Sequence, residues 1–308
     1  MNAAIRAVVR TAIYHKLEVS GIERGFDGMI QDRIINMNSR SVSNIIQRGG
    51  TILKTARSRD FLTYDGRKKA FVNLEVHGIE GLIAIGGNGT YTGAKIFYEE
   101  FGIPTIGVPG TIDNDLYGTD YTIGYDTAIN TALDAIDKIR DTADSHDRIF
   151  FIEVMGRDSG FIALDAGLSG GAESILIPET RTDIETLAKK LGNETGRKKT
   201  SQIIIVAEGD DAGGVYEVVE KLKTYIPNFE YRVTVLGHVQ RGGIPTARDR
   251  VLASRLGEGA VTGLISGKKN VAAGIINNSV EFVSFEEAIT KRKPVSEDLI
   301  RLSEILSI

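Results

Sequence analysis

The chain has 308 residues, and 37 Lys and Arg against 41 Asp and Glu give it a net charge of −4. This acidic balance argues against general binding to nucleic acid or to a membrane surface. The absence of cysteine excludes disulfides and a thiol nucleophile, and the apolar runs are far shorter than the roughly 20 residues that span a membrane. We therefore predict a soluble, cytoplasmic protein.

Short β-branched segments alternate with helical patterns, which is typical of parallel sheets covered by helices on both faces. A chain of this length usually divides into more than one core. We predict an α/β fold of two doubly wound parallel-sheet lobes with a cleft between them. The predicted lobes are residues 1–124 with 240–290, and residues 125–239 with 291–308.

The hydrophobic periodicity predicts the following elements in chain order. Helices are expected at the start of the chain with Asn2 as the cap, from about Val42, over 68–77, around 128–139 and over 247–266. Strands are expected over 17–22, 81–85, 103–108, 149–154, 174–177, 203–207 and 233–236. Thr182 and Glu185 have the spacing of a capping box for one further helix.

A glycine-rich loop, Gly86–Thr90, follows the strand predicted at 81–85 and precedes a helix expected to begin near Tyr91. Glycines let the backbone approach a ligand closely, and the N–H groups at a helix start favour negative charge. The loop is therefore a candidate phosphate cradle. The alternative is a tight turn that uses glycine for steric reasons alone.

A polar segment, Pro109–Asp115, follows the next strand. Its two carboxylates, Asp113 and Asp115, stand beside Thr111 and Asn114, and such a set can hold Mg²⁺ and accept the proton of an attacking hydroxyl. The alternative is an Asx-rich turn that caps the next helix.

Basic side chains recur at strand ends, where a phosphorylated substrate would be bound in a sheet of this kind. They are Arg148, Arg157, Arg232, His238 and Arg241, and Glu208 adds a carboxylate acceptor. Arginines are mostly solvated surface residues, and His238 is equally interpreted as a core histidine. A second basic set on the first helix and further along the chain has a solvated charged face as its simplest interpretation.

Three strings together resemble the phosphofructokinase family: Gly110 to Asp115, Met155-Gly156-Arg157, and Leu236 to Gly243. The resemblance extends from Met1 to the end of the chain. It implies a glycolytic kinase that uses Mg²⁺ and transfers the γ-phosphoryl group of ATP to the 1-hydroxyl of fructose 6-phosphate. It also implies a homotetramer whose active sites are shared between subunits.

The resemblance also implies a role for each matching residue. In catalysis Asp113 is the general base, Thr111 contacts the transferring phosphoryl group and Arg157 offsets charge. The sugar phosphate is assigned to Thr111, Asp113, Arg148, Met155, Gly156, Arg157, Glu208, Arg232, His238 and Arg241, with Arg148 and Arg232 reaching from a neighbouring subunit. The nucleotide is assigned to Arg57, Ser58, Gly87, Asn88, Gly89 and Thr90. Mg²⁺ is assigned to Asn88 and Asp115. An allosteric site for ADP or phosphoenolpyruvate is assigned to Arg6, Arg10, Arg140, Gly171, Glu173, Arg197 and Lys199.

Two features depart from the family pattern. The family has an aspartate where this chain has Asn88, so a carboxylate that helps to hold Mg²⁺ is replaced by a neutral amide. The family also begins with a strand and a glycine-rich loop that contacts ATP, whereas this sequence opens on the helix after them. We therefore expect Met1 to be an internal methionine of a longer protein.

Three alternative functions are weighed against this one. Pyrophosphate-dependent members of the family carry an aspartate in place of Gly89 and a lysine in place of Gly110, so both glycines argue against that donor. An NAD kinase would share the glycine loop but not the sugar-phosphate residues. A non-catalytic, effector-binding homologue is favoured by Asn88 and by the missing first strand, and it is opposed by the intact Thr111–Asp115 segment.

Overall fold

The computed structural model describes residues 1–143, 148–193 and 201–306, and the chain forms two compact units. The first unit comprises Met1–Thr111, Leu116–Gly124 and Ile244–Lys293. The second unit comprises Ile112–Asp115, Tyr125–Gly243 and Pro294–Ile308. Each unit is therefore assembled from segments that are separated in the sequence.

Helices and strands alternate along most of the described chain. The helices are α1 Asn2–Tyr14, α2 Gly25–Ile30, α3 Tyr64–Val76, α4 Asn88–Phe101, α5 Tyr125–Ala143, α6 Phe161–Ser169, α7 Ile184–Asn193, α8 Val215–Lys223, α9 Ala247–Ile265, α10 Phe285–Thr290 and α11 Glu297–Leu306. The strands are β1 Val19–Ile22, β2 Ile34–Met37, β3 Leu82–Gly86, β4 Thr105–Pro109, β5 Arg148–Val154, β6 Ser174–Leu176, β7 Ser201–Ala207, β8 Tyr231–Val235, β9 Val271–Ile276 and β10 Ser279–Ser284. Among the described helices, none has the length and apolar character needed to span a membrane.

The sheet of the first unit has the strand order β10-β9-β4-β3. Strands β3, β4 and β9 run parallel, and β10 returns antiparallel to β9. Strands β1 and β2 form a separate antiparallel pair. Strand β4 is buried along its whole length, as expected for a strand covered on both faces.

Helix α9 packs against α1 in the first unit, and small residues allow the two backbones to approach closely. A Cβ atom added at Gly257 would lie 2.8 Å from both the Ala4 carbonyl oxygen and the Ala7 Cβ. Leu252 and Leu256 of α9 meanwhile pack on Ile106 of β4. Helix α9 thus joins the opening helix to the sheet.

The second unit contains a fully parallel sheet with the order β6-β7-β5-β8. Phe151, Ile204 and Val206 project from its strands into a core that α7 and α8 cover with Leu187 and Val219. This burial removes apolar surface from water and fixes the register of the parallel strands. The predicted α/β fold class with parallel sheets is confirmed.

The helix predicted from about Val42 is not formed. Residues 38–48 make isolated turns instead, in which the Asn38 side chain accepts hydrogen bonds from the backbone N–H groups of Arg40 and Ser41. Asn44 has a φ of 55°, which an α-helix cannot contain. Short polar side chains that bind the backbone compete with helix formation, and here they prevail although Val42 and Ile45 are buried.

Both caps that the sequence predicts are wrong. Asn2 is the first residue of α1, and its side chain makes no capping bond. At the start of α7 the cap is Asp183, whose Oδ1 accepts the backbone N–H of Glu185 at 3.0 Å. The Thr182 hydroxyl donates instead to Asp210. An aspartate caps a helix as well as a threonine does, so the one-residue shift costs nothing locally.

Asn2 instead fastens the segment 48–52 to α1. Its Nδ2 donates to the carbonyl oxygens of Arg48 at 3.1 Å and Gly49 at 3.2 Å, and its Oδ1 accepts the backbone N–H of Ile52 at 2.7 Å. The side chain is 2 % exposed, so water does not compete for these bonds. The segment is therefore held by one buried amide rather than by a regular element.

We predict that Asn2→Ala lowers the free energy of unfolding by about 1–3 kcal/mol, because it leaves buried backbone groups without partners. Denaturant unfolding of the purified chain measures this change. Gln47→Ala removes an exposed side chain of the neighbouring segment that donates to the Asn44 carbonyl, and it should leave the midpoint almost unchanged. An equal effect of both substitutions would contradict a fastening role for Asn2.

Candidate active site

The glycine loop of the first unit lies at the start of α4. Gly87 is the N-cap residue, and its carbonyl oxygen accepts the backbone N–H groups of Thr90 and Tyr91. The helix therefore begins at Asn88, three residues earlier than the sequence indicates. Asn88, Gly89 and Thr90 form its first turn, where N–H groups lack acceptors within the helix and the helix dipole favours an anion.

Gly86 and Gly89 differ in the space that surrounds them. A Cβ at Gly86 would lie 2.2 Å from the Thr90 hydroxyl oxygen, so the turn itself requires glycine there. A Cβ at Gly89 would have no heavy atom within 4 Å, and Gly89 is exposed. The steric alternative thus accounts for Gly86 but not for Gly89. The open surface at Gly89 is what a phosphate needs to approach the backbone.

The segment that follows β4 starts at the same sheet edge as the glycine loop. Gly86 and Pro109 are partners in the parallel β3–β4 register, and the Gly110 N–H donates to the Gly86 carbonyl oxygen at 2.9 Å. The Thr111 carbonyl accepts the Thr122 hydroxyl at 2.7 Å. The next helix, α5, begins only at Tyr125, so Asp113 and Asp115 do not cap it. The helix-capping alternative is wrong.

Asp113 belongs to the second unit and is 6 % exposed. Its Oδ2 lies 3.5 Å from Nε of Arg157, whose side chain is 64 % exposed. The Ser159 hydroxyl lies 3.0 Å from the Asp113 carbonyl oxygen and 2.9 Å from that of Gly156, and it can donate its single proton to either. A carboxylate in this setting has a fixed position beside one cation that is open to solvent.

Glu208 follows β7 and shapes the loop that carries Arg157. Its Oε1 accepts the backbone N–H groups of Gly156 at 3.2 Å and Arg157 at 2.8 Å. Both residues have positive φ values, 152° and 53°, and a non-glycine residue rarely adopts the second. Glu208 was predicted to bind sugar hydroxyls, and this contact gives its carboxylate an additional role in holding the loop.

The sequence alone gave no role to Gln240 or Ser159, although both lie within this site. Gln240 is 1 % exposed, and its Oε1 accepts the Met155 N–H at 2.9 Å. The side chains of both residues hold a loop by bonding its backbone atoms. Such contacts produce no characteristic spacing of residue types that could be recognised in the sequence. The polar character of Gln240 inside an otherwise glycine-rich turn is the one signal that could have indicated it.

Asp210 lies two residues beyond Glu208 on the same loop. Its carboxylate accepts the Thr182 hydroxyl and the Ala212 N–H, each at 2.9 Å. Burial raises the pKa of this carboxyl above its ordinary value, because an apolar surrounding disfavours the charged form. The hydrogen bonds that it accepts oppose this shift.

His238 and Arg241 lie on a 3-10 turn, Gly237–Arg241, which follows β8. Both side chains are exposed. The alternative of a core histidine is therefore wrong. The loop that follows β5 begins at Met155 and carries Arg157, and it is called the Met155 loop here. Strand β8 pairs in parallel with β5, so the 3-10 turn and the Met155 loop leave the same edge of the sheet.

Arg148 and Arg232 lie toward the opposite edge of that sheet. Arg148 opens β5, and the six steps to Val154 span ~20 Å at the rise of a strand. Arg232 is opposite Phe150 on the neighbouring strand. In this structure Arg148 Nε lies 2.9 Å from Glu230 Oε2. Arg148 therefore starts far along the strand from the loop that carries Arg157.

The residues assigned to the nucleotide and to regulation are spread over both units. Arg57 is exposed, and the Ser58 hydroxyl accepts the Phe61 N–H at 3.3 Å. Arg6 and Arg10 lie on α1 in the first unit. The regulatory positions Arg197 and Lys199 lie outside the described residues.

Two of the assigned regulatory side chains have partners within the second unit. Arg140 donates to the carbonyl oxygens of Gly170 and Gly171 just after α6. The Glu173 carboxylate accepts the Ile203 N–H at 2.5 Å. Both contacts give these side chains a role in shaping the segment 170–173.

The donor set assigned to Mg²⁺ is Asn88 in the first unit and Asp115 in the second. Amide and carboxylate oxygens suit this hard cation, which usually takes only one or two protein carboxylates and completes its shell with water and substrate phosphates. In the described part of the chain no three His, Asp or Glu side chains cluster as a self-sufficient metal cage. Asn88 and Asp115 each offer an oxygen of the kind that suits Mg²⁺.

The sequence is similar to those of known proteins. The family model described as phosphofructokinase matches residues 1–264. A protein from Cytophaga hutchinsonii named ATP-dependent 6-phosphofructokinase is 58% identical over 307 residues, covering 100% of this chain and 94% of its own length.

Solved structures give the same result. A phosphofructokinase from Saccharomyces cerevisiae has a TM-score of 0.88 at 34% identity, covering 94% of this chain and 43% of its own. A pyrophosphate-dependent phosphofructokinase from Marinobacter aquaeolei has a TM-score of 0.82 at 22% identity, covering 99% and 87%. At that identity the second likeness concerns the fold alone.

We predict that Gly86→Ala destabilises the chain by roughly 1–3 kcal/mol because its Cβ overlaps Thr90, whereas Gly89→Ala leaves the unfolding midpoint unchanged. Thermal unfolding of the two variants beside the parent tests this pair. A marked loss of stability in Gly89→Ala would mean that the fold requires this glycine, and the argument for an open phosphate surface would fail.

Proposed function

This chain belongs to the phosphofructokinase family, and from that premise we propose that it is an ATP-dependent 6-phosphofructokinase. It transfers the γ-phosphoryl group of ATP to the 1-hydroxyl of fructose 6-phosphate, giving fructose 1,6-bisphosphate and ADP. The observation that carries the proposal is the buried Asp113 carboxylate beside the exposed Arg157 guanidinium. A base for the hydroxyl and a cation for the transferred group thus lie together.

Phosphoryl transfer requires mainly positioning and charge neutralisation. Asp113 accepts the proton of the 1-hydroxyl as its oxygen attacks phosphorus, and Arg157 offsets the charge on the transferring group. The Ser159 hydroxyl contributes by holding the Asp113 backbone. Asn88 and Asp115 would offer oxygen ligands to Mg²⁺, which would supply further charge neutralisation.

Donor choice depends on Gly89. The N–H groups of the first turn of α4 bind the ATP phosphates, and the absent side chain leaves room for the rest of the nucleotide. The residues assigned to sugar binding in the second unit, including Glu208, His238 and Arg241, complete the acceptor site. The pyrophosphate alternative would need a charged side chain at Gly89.

We also propose that the enzyme is a cytoplasmic homotetramer that responds to ADP or phosphoenolpyruvate. The distance along β5 supports a shared active site, because Arg148 lies ~20 Å from the end of the strand that carries Met155. Arg148 and Arg232 therefore bind the 6-phosphate of a sugar that is held in a neighbouring copy.

An assay of the purified chain with fructose 6-phosphate tests the donor. We expect turnover with ATP and none with pyrophosphate, and we expect Gly89→Asp to abolish ATP use while the chain stays folded, because no atom of the protein occupies that space. Robust turnover with pyrophosphate would establish the alternative donor. No turnover with either donor would favour the non-catalytic homologue.

Asp113→Asn should reduce kcat by roughly 10²- to 10⁴-fold, because the amide cannot accept the proton, while the KM for fructose 6-phosphate changes little. Steady-state kinetics measure both constants. Asp158→Asn makes the same change at an exposed position of the neighbouring loop and should behave as the parent. An Asp113→Asn variant within tenfold of the parent would remove Asp113 from the role of base.

Arg232→Ala should raise the KM for fructose 6-phosphate by roughly tenfold to a hundredfold, the value of a lost charged hydrogen bond, and should leave the KM for ATP nearly unchanged. Arg301→Ala removes an exposed arginine of α11 and serves as the control. Equal increases in both KM values would contradict the assignment of Arg232 to the sugar phosphate.

A further inference from the structure

Asn88 and Gly89 form the one Asn-Gly pair in the whole sequence. Glycine has no Cβ, so the backbone nitrogen that follows an Asn-Gly bond is unhindered and the backbone is unusually free to rotate. These are the two conditions under which that nitrogen can attack the asparagine side chain. The pair therefore has chemistry of its own, independent of any ligand.

We propose that Asn88 is a site of spontaneous deamidation, which converts the glycine loop into a carboxylate-bearing loop as the protein ages. The Gly89 nitrogen loses its proton and forms a bond to Cγ of Asn88, and ammonia leaves. Water then opens the resulting five-membered imide at either carbonyl carbon. The products are aspartate or isoaspartate at position 88 and one ammonia, with no oxidant or reductant involved.

The backbone of Gly89, which supplies the attacking nitrogen, is accessible to this reaction. Asn88 is the first residue of α4, so the Gly89 N–H lies in the turn where backbone donors have no acceptor within the helix. Gly89 is exposed, and no heavy atom lies within 4 Å of the position where its Cβ would be. The first turn of a helix also frays more readily than its interior, which permits the rotation that the attack needs.

Asn73 provides the contrast within the same part of the fold. It lies in the last turn of α3, where backbone N–H groups are bonded within the helix. Its Nδ2 donates to the carbonyl oxygens of Met29 at 2.8 Å and Ile30 at 3.1 Å, and Leu74 follows it. The backbone nitrogen of Leu74 is therefore bonded within the helix and hindered by its own side chain.

Deamidation adds a negative charge at the start of α4, where the helix dipole stabilises it. A carboxylate is also a better ligand for Mg²⁺ than a neutral amide. This consequence for the metal rests on the proposed function, whereas the chemical conversion does not. Aspartate at position 88 should lower the Mg²⁺ concentration that gives half-maximal rate.

The test is incubation of the purified 308-residue chain at mildly alkaline pH, followed by tryptic digestion and mass spectrometry at intervals. Cleavage after Lys69 and Lys95 releases one peptide, residues 70–95, that contains both asparagines. Fragment ions assign the replacement of an amide by an acid to either position. We expect Asn88 to convert faster than Asn73 by roughly tenfold or more. Equal persistence of the two asparagines would overturn the proposal.

Gly89→Ala is the matched variant, since its methyl group enters empty space yet hinders the attacking nitrogen. We expect its Asn88 to convert as slowly as Asn73, and equal rates in the parent and Gly89→Ala would also overturn the proposal. Asn88→Asp is the reference for the aspartate product in a Mg²⁺ titration of activity. If Asn88 converts but Asn88→Asp leaves the Mg²⁺ requirement unchanged, the assigned metal role fails and the deamidation site stands.

Discussion

The register of parallel strands is the constraint on which the candidate functional residues of each unit depend. In the first unit Gly86 pairs with Pro109, so the glycine loop and the Thr111 segment start at one level. In the second unit Val154 pairs with Ala207, so the Met155 loop and Glu208 also start together. Parallel strands bring residues that are distant in sequence to one edge without any direct contact between them.

Much of this arrangement could be predicted from the sequence. Runs of β-branched residues located β3, β4, β5 and β7 to within two residues, because a buried strand admits few other side chains. The hairpin partners β9 and β10 and the strand β2 went unnoticed. Strand β10 alternates exposed with partly buried residues, so its apolar signal is weaker than that of a buried strand.

The wrong predictions of the two helix caps and of the helix from about Val42 have a common cause. Asn2, Asn38 and Asp183 each direct a side chain to a backbone group, and the sequence shows the side chain but not which group it meets. The same limit applies to Gln240, whose partner is 85 residues away in the chain. Chemistry-bearing motifs were found because their residue types are unusual, whereas the residues that hold them were not.

The backbone amides of the Met155 loop are hydrogen-bonded as fully as those of a β-strand. The amide hydrogens of Met155, Gly156 and Arg157 are all accepted by side chains, one by Gln240 and two by Glu208. Three consecutive amides in an irregular loop should therefore exchange with solvent deuterium slowly, as if they belonged to a ladder. The entropy of ordering this loop is lost when the chain folds, so a ligand that arrives later does not have to supply it.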